Sequence, residues 1–394
     1  MINKNNKTII SNGTIITPFQ LFEDKVISIE KGKIIAIEDK KNIFEPAETE
    51  VIDAGEGFIV PGFIDMHVHG GGGFDIMDGK YEAVEQVAAA HSRFGTTAFL
   101  PTTMTMSKDK IIESLKSVKE AIVKGTGAAE ILGVHLEGPY INSERKGAQK
   151  KEDIKNPSIE EFLEFNLASG NLIRLVTIAP EMPGAIELIH WLSEHKIIAS
   201  VGHSNATYEQ VQESIRAGLN HVTHTFNAMS GLNHHEPGVA GAALSSPELT
   251  VEMIADGVHL HPAVMKILTR VKGAEKIVLI TDAIRATSMP EGTYDLGGQD
   301  VIVANGQARL KDGTLAGSIL TMDKAVRNMI SMVGVSFEEA IQMATINPAK
   351  CLGVQGRKGS LAAGKDADVV ILDKKLKVKL TMVKGKIVYN REDK

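Results

Sequence analysis

The chain contains a single cysteine, Cys351, so no disulfide bond can form within it. A long chain without disulfides is typical of a reducing compartment, and we predict a cytoplasmic protein. The sequence also lacks an apolar run of the roughly 18 residues that a membrane-spanning helix needs. Residues 1–7 lack the apolar core of a secretory signal. These absences exclude a disulfide scaffold and predict that no segment is inserted in a membrane.

An excess of basic residues is absent as well. The 394 residues include 43 Lys and Arg against 49 Asp and Glu, which gives a formal net charge of -6 at pH 7. A nucleic-acid-binding surface is normally basic, so we predict no nucleic-acid partner. An anionic small substrate stays compatible with this charge if local cations bind it. The length is large for one domain and favours a large domain with a smaller partner.

Both ends of the chain have the pattern of short β-strands rich in β-branched residues. The predicted strands are residues 8–16, 26–30, 33–37, 368–372, 378–383 and 386–389. The turns at Lys31-Gly32 and Lys384-Gly385 lie in closely similar sequences, which indicates matching hairpins. We therefore predict one small β-sandwich domain built from residues 1–57 and 356–394. Two unrelated β extensions are the alternative.

Between these ends the pattern alternates between apolar strands and helices. Eight strands are predicted, at residues 58–64, 97–100, 131–136, 173–178, 197–201, 221–222, 251–255 and 276–280. Repeated βα units of this number favour an α/β fold, a (β/α)8 barrel over residues 58–355. A doubly wound open sheet is the alternative, but it would bind ligands at one crevice, whereas polar residues here follow nearly every strand. Residues 292–315 are predicted to form a hairpin inserted after the last strand.

Histidine and carboxylate side chains follow several of these strands. His67 and His69 are two residues apart on an extended segment, so both point the same way and can chelate one ion. Glu137 lies at the mouth of the third strand, where it has no packing role. His203 and His224 follow the fifth and sixth strands. A lone histidine in such a place is more often a core or loop residue, but the combination indicates a metal site.

Asp282 ends the eighth strand. A carboxylate beside a metal-bound water can act as general base and then as general acid. The alternative is that Asp282 caps the helix or turn that follows it. His259, after the seventh strand, is predicted to face the same pocket, whereas His221 is predicted to face elsewhere and to be structural. Asp65 is predicted either to orient a ligand or to pair with backbone.

These motifs resemble those of the amidohydrolase superfamily and, within it, the N-acetylglucosamine-6-phosphate deacetylases. The resemblance covers nearly the whole chain. It is carried by Pro61-Gly-Phe-Ile-Asp-Met-His-Val-His-Gly, His135-Leu-Glu-Gly-Pro, Gly202-His-Ser-Asn-Ala-Thr, Thr223-His-Thr-Phe-Asn-Ala-Met, Glu236-Pro-Gly, Ala255-Asp-Gly-Val-His, Thr281-Asp-Ala and Leu315-Ala-Gly-Ser.

The resemblance implies a metal-dependent hydrolase that converts N-acetyl-D-glucosamine 6-phosphate to D-glucosamine 6-phosphate and acetate in amino-sugar catabolism. It implies a main divalent ion on Glu137, His203 and His224. A second ion would bind His67 and His69 and share Glu137 and Asp282. Such ligands suit Zn, Fe, Mn or Co.

The resemblance also implies a substrate-binding set and an assembly. The implied assembly is a homodimer in which the loop after Met229 reaches the partner's site. The implied substrate contacts are Ala148, Gln149, Asn227, Ala228, His235, His259, Leu315, Ala316 and Gly317.

Two positions depart from the pattern of this family. Members often carry an arginine just before Glu-Pro-Gly that helps to grip the phosphate, and here this position is His235, a weaker and pH-dependent cation. Arg145, Lys146 and Arg285 are candidates to compensate. Some members have a histidine where this chain has Gln149, which can hydrogen-bond a substrate but cannot titrate.

Two other functions remain open on the sequence. A cyclic-amide hydrolase of the dihydroorotase type is one, although Glu137 and the segment Asn227-Ala228-Met229 argue against it. A non-catalytic scaffold that has kept the barrel is the other, although such relatives usually lose metal ligands and this chain keeps them. A panel of substrates separates the first from a deacetylase, and a metal assay separates the second.

Overall fold

The computed structural model describes residues 7–42 and 49–393. Most of the segment that is predicted to lack a secretory signal, residues 1–6, lies outside them. The strands, in chain order, are β1 (Thr8–Ile16), β2 (Leu21–Phe22), β3 (Lys25–Glu30), β4 (Lys33–Asp39), β5 (Glu50–Pro61), β6 (Phe63–Val68), β7 (Gly70–Gly71), β8 (Phe74–Asp75), β9 (Thr96–Pro101), β10 (Glu130–Ile131), β11 (Val134–Glu137), β12 (Ile173–Ile178), β13 (Ile198–Val201), β14 (His221–Val222), β15 (Thr250–Ile254), β16 (Ile277–Ile280), β17 (Gly292–Leu296), β18 (Gln299–Ala304), β19 (Gln307–Leu310), β20 (Val369–Leu372), β21 (Val378–Val383) and β22 (Lys386–Asn390).

Most of the α-helices alternate with the central strands. Within the described residues, no helix is long and apolar enough to cross a bilayer. The helices are α1 (Tyr81–Ser92), α2 (Lys108–Lys124), α3 (Ile159–Ala168), α4 (Ala185–Glu194), α5 (Tyr208–Ala217), α6 (Gly238–Ser245), α7 (Pro262–Lys272), α8 (Met322–Asn328), α9 (Phe337–Ala344) and α10 (Ile346–Cys351).

Eight parallel strands, β6, β9 and β11 to β16, form a closed barrel. One sheet contains β6 and β9, and a second contains β11 to β16 in sequence order. Parallel bridges from Thr102 to His135 and from Val68 to Ala283 join the two sheets. The predicted α/β barrel is therefore confirmed, and the carboxyl ends of its strands meet at one face.

Local sequence explains why the barrel strands and helices form where they do. The four residues of β16 are all apolar and buried, as expected of a parallel strand that is covered on both faces. Helix α5 begins at a capping box formed by Thr207 and Gln210 and ends at Gly218 in the left-handed conformation. Such caps fix the length of the loops that follow the strands, and these loops carry the site.

Strands from both ends of the chain form one mixed sheet. Its order is β22-β21-β20-β5-β1-β3-β4, with β2 paired to β1. Ile10 and Ile27 from the N-terminal strands and Val369 and Leu380 from the C-terminal strands belong to one apolar core. The two chain ends therefore stabilise each other through this sheet. The predicted domain limits, 1–57 with 356–394 and 58–355, stay a prediction.

Three details of the strand prediction are wrong. The run 131–136 is not one strand, because it is divided between β10 and β11, with Leu132 and Gly133 between them. The run 58–64 is not a single barrel strand, because Phe58 pairs with Leu372 in the mixed sheet and β6 begins only at Phe63. A Cβ atom on the intervening Gly62 would overlap the side chain of Thr97, so a glycine is needed where the chain passes between the sheets. The insertion predicted as a hairpin at 292–315 is a three-stranded antiparallel sheet, β17 to β19.

Candidate metal centre

Three of the predicted functional residues occupy the same position relative to their strands. His203, His224 and Asp282 each follow the last residue of a strand by two positions. Their φ angles are 47°, 29° and 51°, a left-handed conformation that is uncommon for residues other than glycine. Strain of this kind concentrates at functional sites, where the surrounding structure enforces it. The shared conformation brings the three side chains to the mouth of the barrel.

Six buried side chains meet there in two groups of three. The first group is Glu137, His203 and His224, and the second is His67, His69 and Asp282. We call them the first triad and the second triad. In the first, the Nε2 atoms of His203 and His224 lie 3.4 and 3.2 Å from Glu137 Oε1.

Distances in the second triad are similar. The Nε2 atoms of His67 and His69 lie 3.5 and 3.2 Å from Asp282 Oδ1, and 3.2 Å from each other. Ligands about 2.1 Å from a tetrahedral ion are separated by about 3.4 Å, so both triads have the spacing of a metal-ligand set. Glu137 Oε2 lies 3.2 Å from His69 Nε2, which places this carboxylate between the triads.

The hydrogen bonds of these side chains also fit a bound cation. Glu137 Oε1 is buried and accepts no hydrogen bond within the described residues, although it faces imidazole nitrogens of both triads. His203 Nδ1 lies 2.8 Å from the carbonyl oxygen of Arg145, to which it donates. His67 Nδ1 donates to Glu252 Oε2 at 3.1 Å. Both bonds leave the Nε2 lone pair free to bind a metal.

The electrostatics of the cluster favour a cation. Burial disfavours the charged form of His69, but hydrogen bonds to Asp282 and Glu137 raise its pKa to about 9. Burial likewise opposes ionisation of Glu137, yet the charge of His67 and the neighbouring imidazoles of His203 and His224 hold the Glu137 pKa well below its usual value. The carboxylates therefore stay ionised, and protons or a divalent ion can neutralise them.

A cavity of about 310 Å³ opens above the cluster, within the range of small-molecule sites. It contains Glu137, His69, His203, His224 and Asp282 in its wall. Of the predicted substrate contacts, it is lined by Ala148, Gln149, Asn227, Ala228, His259, Leu315 and Gly317.

The other two predicted contacts do not line this cavity. Ala316 is fully buried, and its backbone N–H donates to the carbonyl oxygen of Ala308. His235 is exposed on the segment 231–236. Within one chain, neither Ala316 nor His235 lines the cavity above the two triads.

Among the cations proposed to replace the missing arginine, Arg145 is the one that lines the cavity. Arg285 is bound to Asp78, at 2.8 Å between its Nη2 and the carboxylate. Lys146 Nζ donates to the carbonyl oxygen of Gly147 at 3.3 Å. His259 also lines the cavity, and its Nδ1 donates to Asp256 Oδ2 at 2.7 Å, which leaves the other ring nitrogen available.

The model of the amidohydrolase family matches residues 58–388. The chain belongs to the amidohydrolase family. It is 39% identical to the N-acetylglucosamine-6-phosphate deacetylase of Bacillus subtilis, over 97% of both chains. It is also 39% identical to an N-acetylgalactosamine-6-phosphate deacetylase of Escherichia coli O157:H7, over 95% of this chain and 97% of that one.

Solved structures agree with this family. A mutant of the N-acetyl-D-glucosamine-6-phosphate deacetylase of Mycobacterium smegmatis, in complex with N-acetyl-D-glucosamine 6-phosphate, superposes with a TM-score of 0.91 at 33% identity. The alignment covers 98% of this amidohydrolase and all of that chain. The likeness therefore includes the mixed sheet as well as the barrel.

Sequence reasoning missed one buried carboxylate of this amidohydrolase, Glu252. Burial opposes its ionisation, but hydrogen bonds from His221 and His67 hold its pKa below the usual value. The only signal in the sequence is an acidic residue inside the apolar run Val251-Glu252-Met253-Ile254. His221, predicted to be structural, lies 3.4 Å from Glu252 and outside both triads.

Two further residues acquire roles from the structure. Gln149 donates from Nε2 to Glu137 Oε2 at 3.0 Å and accepts the backbone N–H of Thr105 at 2.7 Å, so it holds the shared carboxylate. Asp65 lies outside both triads and accepts the hydroxyl of Thr281 at 2.6 Å and two backbone N–H groups. Burial raises the Asp65 pKa to about 7 despite these bonds. Asp65 thus pairs with backbone, one of its two predicted roles.

Proposed function

We propose that this amidohydrolase hydrolyses the acetamide of N-acetyl-D-glucosamine 6-phosphate, releasing acetate and D-glucosamine 6-phosphate. The observation that carries the proposal is the buried cluster of four histidines and two carboxylates, five of which line a cavity that fits a small molecule. The deacetylase activity of the Bacillus subtilis relative supports the choice of reaction.

We propose two divalent ions per subunit, one on each triad, drawn from Zn, Fe, Mn or Co. The buried Glu137 Oε1, which accepts no hydrogen bond in the described residues, and the ligand spacing support this. Such ions would lower the pKa of a bound water toward about 7 and polarise a carbonyl oxygen.

The residues of this chain then carry the proton and bind the substrate. Asp282 accepts a proton from the attacking water as the water oxygen forms a bond to the carbonyl carbon of the acetyl group. It returns that proton to the sugar nitrogen as the C–N bond breaks, so the amine leaves neutral. Met104, Ile284 and Leu296 line the same cavity and offer an apolar wall for the acetyl methyl group.

The phosphate is assigned to the cations of the cavity wall. Arg145 supplies a permanent positive charge, and His259 supplies a ring nitrogen whose other side is fixed by Asp256. His235 contributes from a second copy of the chain, because it is exposed on its own chain and lies away from the cavity. The proposal therefore includes a homodimer, and we also propose a cytoplasmic location.

The test is acetate release from N-acetylglucosamine 6-phosphate and from unphosphorylated N-acetylglucosamine, in one preparation with added divalent metal. We expect kcat/KM to be at least about 100-fold higher for the phosphorylated sugar, because two or more charged contacts are lost without the phosphate. Equal rates on both sugars would show that the site does not recognise the phosphate. No acetate release from either sugar would overturn the proposed deacetylase activity.

The galactosamine epimer is a second candidate substrate. It is favoured by the 39% identity to the N-acetylgalactosamine-6-phosphate deacetylase, which equals the identity to the glucosamine enzyme. The two sugars differ at one hydroxyl group, so the comparison of their kcat/KM values under the same conditions decides between them. We expect the glucosamine substrate to have the higher value.

A further inference from the structure

Glu252 lies inside the barrel beside the metal-ligand cluster, and the proposed reaction does not use it. It is the single acidic residue of β15 and is completely buried. A buried carboxylate is costly unless several donors satisfy it. The identity of those donors therefore shows which parts of the molecule Glu252 holds in place.

One oxygen of Glu252 contacts both triads. Oε2 accepts the Nδ1–H of His67 at 3.1 Å and the backbone N–H of His224 at 3.0 Å. Oε1 faces Nε2 of His221 at 3.4 Å, and the backbone carbonyl accepts the N–H of Thr225 at 3.1 Å. The side chain thus joins β6, which carries His67, to the loop after β14, which carries His224.

The hydrogen bond to His67 has no equivalent elsewhere in the second triad. The Nδ1 atom of His69 is buried without a hydrogen-bond partner in the described residues. In the first triad, the Nδ1 of His203 is fixed by a carbonyl oxygen, that of Arg145. A carboxylate is a stronger acceptor than a carbonyl and makes the imidazole a better metal ligand. His67 is therefore the imidazole of the second triad whose ring orientation is fixed by a hydrogen bond at Nδ1, the nitrogen that does not face the triad.

We propose that Glu252 is a positioning residue that fixes the tautomer of His67 and thereby sets the metal affinity of the second triad. This rests on the metal centre of the proposed function, but it concerns metal binding and not turnover. The first triad depends on Glu252 less, because His224 is held there through its backbone and its imidazole makes no contact with this carboxylate.

The test is a titration of the metal-stripped full chain with Co²⁺, followed by visible absorption and calorimetry. His67→Gln and His203→Gln identify which binding step belongs to which triad. Glu252→Gln keeps the size of the side chain and removes its charge. We expect it to raise the dissociation constant of the second triad roughly 10–100-fold and to leave the first within about threefold.

A double variant separates positioning from a general effect. Because Glu252 acts through His67, adding Glu252→Gln to His67→Gln should leave the remaining Co²⁺ step unchanged. Asp368→Asn is the matched control, since it neutralises a buried carboxylate that directly precedes β20 of the mixed sheet and belongs to neither triad. We expect it to leave both dissociation constants unchanged.

Three results would overturn the proposal: no change in either step, equal weakening of both, or further weakening in the double variant. If Glu252→Gln does not fold by circular dichroism, ¹⁵N NMR of the zinc-loaded wild-type chain decides. A proton on Nδ1 of His67 supports the proposal, and a proton on Nε2 overturns it. Acetate release enters none of these measurements, so a failure of the deacetylase assignment would be seen separately.

Discussion

Asp282 combines two tasks in one carboxylate. Its Oδ1 lies 3.2 Å from the Nε2 of His69, and the same side chain is 11% exposed and lines the cavity. Burial opposes its ionisation, but the charge of His67 and a hydrogen bond from His69 keep its pKa below the usual value. In the proposed reaction this residue is a metal ligand on one side and a proton carrier on the other.

Replacing Asp282 with asparagine should separate these tasks. Asn keeps the shape and one oxygen but cannot accept the proton of the attacking water, so we expect kcat to fall by about 10²–10⁴. Metal content, measured by mass spectrometry of the purified variant, should stay close to that of the wild type. A variant with near-wild-type kcat would show that another residue carries the proton.

Replacing Gln149 with leucine should weaken metal binding. The change removes the donor to Glu137 Oε2 and the acceptor for the Thr105 N–H, so the shared carboxylate loses its orientation. We expect metal affinity to fall by roughly 10–100-fold, measured by Co²⁺ titration. Gln212→Leu, on the outer helix α5, is the control and should change nothing. A rise in KM with unchanged metal affinity would instead make Gln149 a substrate contact only.

Individual residues were predictable where the chemistry is local in sequence. His67 and His69 are spaced so that they could chelate one ion, and His203, His224 and Asp282 each follow the last residue of a strand by two positions. Glu252 was not predictable, because its partner His67 is 185 residues away and the register that joins them exists only in the closed barrel. The contact between Gln149 and Glu137 was missed because it depends on how one loop folds back over a strand end.

At the scale of elements, an ion-pair cluster ties β10, which pairs with the barrel strand β9, to the mixed sheet. Lys358 is 2% exposed and contacts Asp368 and, at 2.7 Å, Glu130 of β10. Burial raises the pKa of Glu130, but hydrogen bonds and charge from Arg357 and Lys358 bring it down to about 2. Asp366 behaves alike, with Lys33 and Lys358 lowering its pKa to about 2 against burial.

These shifts predict acid sensitivity. A carboxylate whose pKa is lower in the folded state stabilises the fold fully above its unfolded pKa, and the contribution disappears as the pH falls toward the folded pKa. For Glu130 this window runs from the ordinary value of 4.5 down to about 2. We expect the urea midpoint of wild type to fall steeply across this window, and Glu130→Gln to flatten that fall. A midpoint that is constant through the window in wild type would contradict the assignment.

Removing the cation should destabilise the same junction at neutral pH. Lys358→Met leaves three carboxylates without their buried partner, and breaking a buried pair costs about 3–5 kcal/mol. Urea unfolding at pH 7 measures this. Lys374→Met is the control, because its partner Glu56 is exposed and its loss should not move the midpoint. Equal midpoints for Lys358→Met and wild type would mean that packing, and not charge, holds the junction.

The elements themselves were largely predictable, with errors where one segment serves two sheets. Helix α5 (Tyr208–Ala217) forms between signals that lie within a few residues of its ends, the capping box of Thr207 and Gln210 and the final Gly218. The run 58–64 was assigned to one strand because all of it is apolar. The Pro61-Gly62 dipeptide is a local signal for a break, but nothing local shows that the strand before it belongs to the mixed sheet and the strand after it to the barrel.

At the scale of the whole molecule, the position of His235 predicts a shared site. It is exposed on its own chain and does not line the cavity, so in the proposed function it contacts the substrate from a second copy. His235→Ala and Asp282→Asn should each be poorly active alone. Mixed and allowed to exchange, they should recover up to about a quarter of wild-type activity, because half of the dimers are then mixed and one of their two sites is intact.

Sedimentation of the unmixed proteins provides the control for this experiment. We expect a dimer for wild type and for both variants, since neither change removes a large contact area. No recovery from a mixture that does exchange subunits would confine each site to one chain. The phosphate would then depend on Arg145 and His259 alone.

The overall architecture was predictable because eight βα units with polar residues at their ends leave few alternatives to a barrel. The assembly of one sheet from both chain ends was inferred from the similar hairpins at Lys31-Gly32 and Lys384-Gly385. In the structure these turns lie against each other, and a Cβ on Gly385 would come within 2.9 Å of the Gly32 Cα. The similarity in sequence thus reflects two turns packed at one place.

The mixed sheet can be completed only late in synthesis, because it contains strands from both ends of the chain. Strands β1 and β5 leave the ribosome early, whereas β20, which pairs with β5, is made about 350 residues after β1, roughly 20–70 s later at 5–20 residues per second. Until β20 is made, the edge of β5 at Ile59 has no paired strand on that side, although the barrel strands have already been synthesised. The nascent chain therefore has an open sheet edge until β20 is made, and the pairing of β20 with β5 is the step that protects this edge from association with other nascent chains.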